Sequence, residues 1–296
     1  MKTNTRTLNY SLRGAVCAGA LLASGASAQN LFVSDYLGQS ILEYTSGGTP
    51  STFAGGMNYP FGIAFDPAGN LFVANTANNG GGGSITEITR AGTPSTFSNE
   101  SDPIVLAFNN SGTLFAADYS DGNIYKYTSG GVQSTFAGGF NNPISMAFDS
   151  TGDLFVGSGY GDGNGIITKI TPGGTPSLFA SGLNFPGGMT FDGPNLLVTE
   201  QDSGAILQYT PSGAQSTFAT TSYNSLNGLA FDSTGDLFAG ASVGDIVEIA
   251  PGGAQSVFAT GLGNPAGLAF QPVPEPSTFA LAAIGALAFV ARRHQK

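Results

Sequence analysis

Residues 60–73 read Pro-Phe-Gly-Ile-Ala-Phe-Asp-Pro-Ala-Gly-Asn-Leu-Phe-Val, and this stretch decides the fold. Two short apolar runs, at 62–65 and 71–73, flank a turn rich in Asp, Pro, Gly and Asn. This pattern is typical of a β-hairpin, because those turn residues tolerate the tight backbone that joins two strands. The hairpin is the first complete copy of a unit that recurs along the chain.

The unit repeats at intervals of about forty-one residues. The second apolar run of the hairpin, which begins at residue 71, recurs at 31–35, 114–118, 154–158, 196–200 and 237–241. An alternating run such as 41–44, a Gly/Pro turn and a Ser-Thr-Phe run such as 51–53 complete each unit. Four short β-like runs per period of this length are typical of a β-propeller blade. A parallel β-helix is the main alternative, but its rungs are shorter and are not divided by turns into four strands.

The phenylalanines and the ends of the repeat predict a closed ring of six blades. Seventeen of the twenty-two Phe residues fall at three repeat positions, where they would fill the wedges between blades. The first unit begins at Leu31 without the Gly-Ile-Ala-Phe run, and that run appears at the far end as residues 267–270. We therefore expect one blade to contain both ends of the repeat region, which hides the edge strands. We name the strands of a blade a to d, from the axis outward, with a being the Gly-Ile-Ala-Phe run.

The 60–73 pattern resembles blades of the NHL, streptogramin-lyase and SMP-30/gluconolactonase-like propellers. The resemblance covers residues 29–271 and implies an all-β fold of six four-stranded blades. It does not by itself imply an activity, because that group includes binding modules, lactonases and lyases. A signal helix before the propeller and a short apolar helix after it complete the predicted architecture.

The N-terminus has the order of parts of a secretory signal peptide. Positive residues (Lys2, Arg6, Arg13) precede a small apolar run at 15–23, and Ala-Ser-Ala follows at 26–28. This order predicts cleavage by signal peptidase between Ala28 and Gln29. The single cysteine lies within residues 1–28, so the mature chain would have no disulfide.

The C-terminus, residues 272–296, has three parts of its own. Val-Pro-Glu-Pro, with Pro274, Glu275 and Pro276, precedes an apolar stretch at 279–291, and Arg292 and Arg293 follow. Thirteen helical residues span about 20 Å, less than a bilayer core of about 30 Å. The tail resembles the PEP-CTERM sorting signal of Gram-negative bacteria. That resemblance implies transient anchoring in the inner membrane, removal by an exosortase and delivery to the cell surface or extracellular matrix. A simple single-pass anchor is the alternative.

The body between these ends is strongly acidic. Residues 29–271 contain three of the nine Lys and Arg residues but eighteen of the nineteen Asp and Glu residues. This charge argues against nucleic acid or anionic lipid as a partner. It is compatible with cations or with an extracellular polysaccharide.

One predicted face carries the variable loops and the candidate site. The interval from strand b to strand c varies from nine to fourteen residues, whereas that from c to d is constant at twelve. Asp35, Asn75, Asp118 and Glu200 end strand b in four repeats, and Asp102 lies at the entry to a strand a of the same face. Oxygen ligands of this kind could hold Ca²⁺ or another divalent cation, or a sugar. Alternatively, these side chains cap loop backbone groups, as Asp and Asn do in turns.

The histidine content limits the chemistry. The only histidine, His294, lies in the tail, so histidine-based acid–base and nucleophilic mechanisms are not available to the body. Streptogramin lyases use a central histidine, which excludes that activity. SMP-30-like lactonases use a metal held by Glu, Asn and Asp, with the Glu at the start of a strand a. None of the six entries to strand a offers Glu, which leaves only a variant site from Asp102, Asp118, Asn75 and Glu200.

The sequence therefore favours an exported, non-catalytic binding or scaffold propeller with no nucleotide or redox cofactor. Its partner would be an extracellular polysaccharide or another surface protein. The partner would bind through the loop face, which is the face that carries the variable b–c loops and the candidate site. A divalent-metal-dependent lactonase or hydrolase is the alternative. A purely structural matrix protein is the third hypothesis.

Overall fold

The computed structural model describes residues 29–76, 82–159, 161, 163–201 and 203–272. The predicted signal peptide at 1–28 and nearly all of the predicted sorting tail, including Pro274 to Pro276 and the two arginines, lie outside these ranges. The signal helix and the C-terminal apolar helix therefore stay predictions. Within the described ranges, no helix has the length and hydropathy needed to cross a membrane.

Twenty-four strands form six antiparallel four-stranded sheets. The a strands are β4 (Pro60–Phe65), β8 (Pro103–Phe108), β12 (Pro143–Phe148), β16 (Pro186–Asp192), β20 (Leu226–Phe231) and β24 (Pro265–Phe270). The b strands are β1 (Leu31–Asp35), β5 (Leu71–Asn75), β9 (Leu114–Asp118), β13 (Leu154–Ser158), β17 (Asn195–Glu200) and β21 (Leu237–Ala241).

The c strands are β2 (Ser40–Tyr44), β6 (Gly83–Ile88), β10 (Asn123–Tyr127), β14 (Gly165–Ile170), β18 (Ala205–Tyr209) and β22 (Asp245–Ile249). The d strands are β3 (Pro50–Gly55), β7 (Pro94–Glu100), β11 (Gln133–Gly138), β15 (Pro176–Leu183), β19 (Gln215–Thr220) and β23 (Gln255–Ala259). Blade 1 is β24-β1-β2-β3, and blades 2 to 6 follow in chain order from β4–β7 to β20–β23.

Blade 1 closes the ring as the sequence predicts. β24 pairs with β1 in antiparallel register, with Leu31 opposite Phe270 and Val33 opposite Leu268. Consecutive a strands contact one another around the axis, including β24 with β4. A closed ring leaves no a strand at an open edge, and the rival β-helix is excluded.

Burial follows the radial order of the strands. Strand b is buried at every position in five of the six blades, because neighbouring blades cover both of its faces. The outermost strand d is exposed over its first half, as in β11 and β19. This contrast explains why the b runs are continuously apolar whereas the d runs are rich in Ser and Thr.

Aromatic triads join one blade to the next. Phe32 contacts Phe53 of its own blade and Phe65 of blade 2, with ring centroids 4.9 and 5.0 Å apart and the rings edge to face. The triad recurs in blades 2, 3, 4 and 6, and in blade 6 Phe238 contacts Phe270 across the closure. In blade 5 Leu197 takes the b position and packs with Phe218 and Phe231. Edge-to-face pairs of this kind add to the stabilisation from burial alone.

Candidate functional site

The six residues that end strand b lie on one rim of the propeller. Each is the cross-strand partner of the first residue of strand a in its own blade: Asp35 with Pro265, Asn75 with Pro60, Asp118 with Pro103, Ser158 with Pro143, Glu200 with Pro186, and Ala241 with Leu226. Because strands alternate in direction, the b–c loops and the d–a connections meet at this rim. The structure therefore places Asp35, Asn75, Asp118 and Glu200 on the predicted face.

Side-chain oxygens at this rim accept hydrogen bonds from the d–a connection. Asp35 accepts from the backbone N–H groups of Gly263 and Asn264, both at 3.0 Å. Asn75 accepts from the N–H of Asn58 at 3.3 Å, and Glu200 from that of Asn184 at 3.4 Å. These bonds tie the end of strand b to the entry of strand a, which is the capping role that the sequence left as an alternative.

Asp102 and Asp118 are the two candidate residues that the structure brings into contact. The N–H of Asp102 donates to Oδ2 of Asp118 at 3.0 Å, and Oδ1 of Asp118 accepts from the backbone and hydroxyl of Ser120 and from the N–H of Asp121. Burial raises the pKa of Asp102, and the charge of Asp118 raises it further. Most of the lone pairs of Asp118 are thus occupied within the chain.

Coordination of a cation by these rim residues stays a prediction. In the part of the chain that the structure describes, no three His, Cys, Asp or Glu residues are arranged to hold a metal ion. Among the residues that end strand b, Glu200 is the half-buried carboxylate, and within the described residues its Oε2 accepts from the Ser203 hydroxyl at 3.2 Å. Of the carboxylates that end strand b, Glu200 therefore has the greatest remaining capacity to accept a hydrogen bond from a ligand.

Sequence reasoning missed Glu100, a buried carboxylate between blades 2 and 3. It is 8% exposed, and its Oε1 accepts from the Ser98 hydroxyl at 2.6 Å. The Gln133 amide, with its nitrogen turned toward Glu100, donates to Oε2 at 2.6 Å. Burial raises the pKa of Glu100, the hydrogen bond from Ser98 opposes that rise, and nearby Asp charges add to it. Glu100 follows a Ser-Thr-Phe run, so its burial between blades left no signal in the repeat.

The axis of the propeller is a narrow channel. A cavity of about 90 Å³ lies there, lined by the six a strands, and none of the described residues around it is ionisable. The a strands approach closely where glycine replaces a side chain. A Cβ at Gly188 would collide with the carbonyl oxygen of Asn227 in the next blade, and one at Gly62 with that of Ile104. The described lining supplies no acid, base or charged ligand on the axis.

The opposite face, where the a–b and c–d hairpins meet, has grooves between blades. Grooves of about 470, 200 and 360 Å³ lie between blades 6 and 1, 4 and 5, and 2 and 3. Each is walled by the aromatic triad of its interface and by an Asp that follows strand a: Asp232, Asp149 and Asp66 respectively. These Asp residues accept from their own turns, as at Asp149 Oδ1 from the N–H groups of Thr151 and Asp153. These hydrogen bonds give the three Asp residues a structural role in their own turns.

The sequence beyond β24 identifies the route of export. Residues 272–294 match the PEP-CTERM protein-sorting motif. The chain carries an exosortase sorting signal. The PEP-CTERM motif begins two residues after β24 ends at Phe270, so the closing strand leads directly into the signal. No curated protein sequence matches the chain.

Solved structures similar to this chain confirm the fold. One is a chain of the crystal structure of a nidogen/laminin complex, 16% identical, with a TM-score of 0.73 over 84% of this chain and all of the other. Another is a protein provisionally assigned as a gluconolactonase, 18% identical, with a TM-score of 0.62 over 73% of this chain and 82% of the other. At such identities the likeness shows the propeller architecture alone. It agrees with the predicted NHL-like and SMP-30-like resemblance.

Proposed function

We propose that this protein is a non-catalytic binding or scaffold propeller that exosortase processing delivers to the cell surface or extracellular matrix. The observation that carries the proposal is the sorting motif placed directly behind the strand that closes the ring. Signal peptidase would remove residues 1–28, the C-terminal tail would hold the body at the inner membrane, and exosortase would then release it. The partner we propose is an extracellular polysaccharide or another surface protein.

The proposal that the protein is non-catalytic rests on the residues that line the axis and on the hydrogen bonds of the carboxylates at the rim. The described lining of the channel is Gly, Ile, Leu, Met and similar residues without ionisable groups. At the rim, Asp35 and Asp118 each accept at least three hydrogen bonds from their own chain. Carboxylates in that state support loop structure and would have to release backbone donors to serve a metal or a substrate.

Binding of polymer through the loop face is tested by exchanging a loop. The longest b–c connection joins Asn75 to Ser84, and replacing residues 76–83 with residues 119–122, the short connection of blade 3, should abolish binding to extracted extracellular polymer. The matched control replaces the Ser46–Gly48 turn on the opposite face, Ser-Gly-Gly, with the equivalent Pro211–Gly213 turn of blade 5, Pro-Ser-Gly, and polymer binding should persist. Equal binding by both variants would refute the loop face as the contact surface.

The catalytic alternative is tested on the same purified protein. We expect less than stoichiometric metal by elemental analysis and no turnover of lactones, with or without chelator. Stoichiometric metal together with turnover that a chelator abolishes would overturn the non-catalytic proposal and favour a lactonase. A Glu200→Gln variant would then show whether the half-buried rim carboxylate takes part.

A further inference from the structure

The groove between blades 6 and 1, which we name the closure groove, is acidic and has no Lys or Arg side chain. Gln29 also lines it, and Gln29 becomes the N-terminal residue when residues 1–28 are removed as predicted. It is about 470 Å³ in volume and is lined by Asp232, Asp236 and Glu248, with the rings of Phe238, Phe258 and Phe270 as its apolar wall. Neither blade contains a Lys or Arg residue, because the body's three cations are Arg90, Lys126 and Lys169. The closure groove lies on the face opposite the b–c loops, so it is independent of the polymer-binding surface proposed above.

In blade 4, a lysine of the chain itself fills the position that corresponds to the closure groove. There, Lys169 is the cross-strand partner of Phe155, and its Nζ lies 5.3 Å from the centroid of the Phe155 ring. The same Nζ is 2.7 Å from Oδ2 of Asp153, the residue that precedes strand b. A lysine side chain thus lies across an aromatic ring and pairs with a carboxylate, which is a favourable site for an ammonium group.

Blade 6 keeps the ring and the carboxylate but replaces the lysine. Phe238 occupies the Phe155 position, Asp236 occupies the Asp153 position, and Glu248 is the cross-strand partner of Phe238. In blade 1, Asn30 and Glu43 occupy the positions of Asp236 and Glu248. They form a hydrogen-bonded pair, in which the Asn30 amide donates to Oε1 of Glu43 at 2.6 Å. Blade 6 is the one blade of the six in which both positions are carboxylates.

We propose that the closure groove binds the side-chain ammonium of a lysine on a partner protein. The incoming ammonium would take the place that Lys169 takes in blade 4, between Asp236, Glu248 and the Phe238 ring. The hydroxyls of Thr45, Ser46 and Ser233 line the same groove and are available to polar groups beside the lysine. An organic cation fits this wall better than a metal ion, because the aromatic ring offers a π-face contact and no oxygen ligand.

The test titrates Nα-acetyl-lysine methylamide into the purified processed protein, followed by NMR. The neutral isostere Nα-acetyl-norleucine methylamide is the matched ligand control. We expect saturable shifts of groove residues with the lysine compound alone, and weakening when the salt concentration is raised because the contact is partly exposed. Equal binding of both compounds would refute recognition of the ammonium.

Three variants test the site. Glu248→Lys recreates the blade 4 arrangement within blade 6, so the protein should stay folded while lysine affinity falls about tenfold or more. Glu248→Gln removes only the charge and should weaken affinity without filling the groove. Lys169→Glu empties the corresponding place in blade 4 and should add a second lysine site. Unchanged affinity in Glu248→Lys, with an unchanged melting profile, would overturn the proposal.

Two further probes test the class of ligand. A glucosamine trimer carries the same ammonium on a sugar, and Ca²⁺ carries charge without a carbon stem. We expect neither to compete with the lysine compound at equal concentration. Tighter binding of the sugar amine, or stoichiometric Ca²⁺ binding that Glu248→Lys abolishes, would overturn the assignment to a lysine side chain.

Discussion

The carboxylate of Asp35 accepts hydrogen bonds from the backbone of Gly263 and Asn264, residues 228 and 229 positions later in the chain. It thereby joins the first strand of the body to the connection that enters the last one. Asp35 is 7% exposed, so water does not replace these bonds if the carboxylate is removed. Closure of the ring thus rests on backbone pairing of β1 with β24 and on this side-chain clamp beside it.

Replacing Asp35 with Ala should lower the free energy of unfolding by about 2–3 kcal/mol, because buried N–H donors lose a charged acceptor. The matched control is Asn75→Ala, which removes the corresponding rim side chain within blade 2 and should cost about 1 kcal/mol. Urea denaturation measures both changes. Hydrogen exchange at residues 266–270 should accelerate in Asp35→Ala alone, and equal acceleration in both variants would contradict a special role in closure.

The aromatic triads give a second prediction, at Phe32. Phe32 is 1% exposed and contacts two rings, so Phe32→Ala should cost about 3–5 kcal/mol from lost burial and the cavity left behind. Phe32→Leu should cost much less, because Leu197 fills the same place in blade 5. Thermal unfolding of both variants is the measurement. Similar losses in the two would show that ring geometry matters more than filled volume.

Glu100 predicts a pH dependence of stability. Burial raises its pKa in the folded state above the ordinary value of 4.5, so the folded state binds the proton more tightly than the unfolded chain does. Its contribution to stability is therefore fully present below pH 4.5 and is lost as the pH rises through the raised folded pKa.

The Glu100→Gln variant tests this sign. It keeps an acceptor for Ser98 but cannot ionise, so its stability relative to the wild type should increase between about pH 4 and about pH 8. Asp102, whose pKa is also raised by burial, contributes in the same direction and remains in both proteins. Urea denaturation at several pH values gives the difference, and a constant difference across the range would contradict an ionised, buried Glu100.

Processing at both ends is the fourth prediction. We expect mass spectrometry of the released protein to find an N-terminus at Gln29 and a C-terminus upstream of Arg292. The two ends of the propeller body lie side by side, because Nε2 of Gln29 donates to the carbonyl of Gln271 at 2.9 Å and the N–H of Gln271 donates to the carbonyl of Asn30. Released protein that retains Arg292 would contradict exosortase processing. An Ala28→Arg variant, with the cleavage pattern broken, should retain residues 1–28.

The sequence by itself determined the number of blades, the strand that closes the ring and the sorting signal. These features follow from the order of residues along the chain. Each repeat contains the pattern of four strands, and the Gly-Ile-Ala-Phe run that is missing before Leu31 has its counterpart at residues 267–270. The burial of strand b on both faces also follows from the repeat. A mostly apolar run such as Leu71–Asn75 is shielded from water only if a neighbouring blade packs on each of its faces.

Only the tertiary structure decided which polar groups meet. The Asp35 clamp, the burial of Glu100 against Gln133 and the presence of Asp236 and Glu248 in one groove all depend on side chains from different strands or blades. Local sequence cannot show these contacts, because a one-residue change in register or in the direction of a turn would separate the groups. The folded ring fixes register and neighbour together, and with them the charge of each groove.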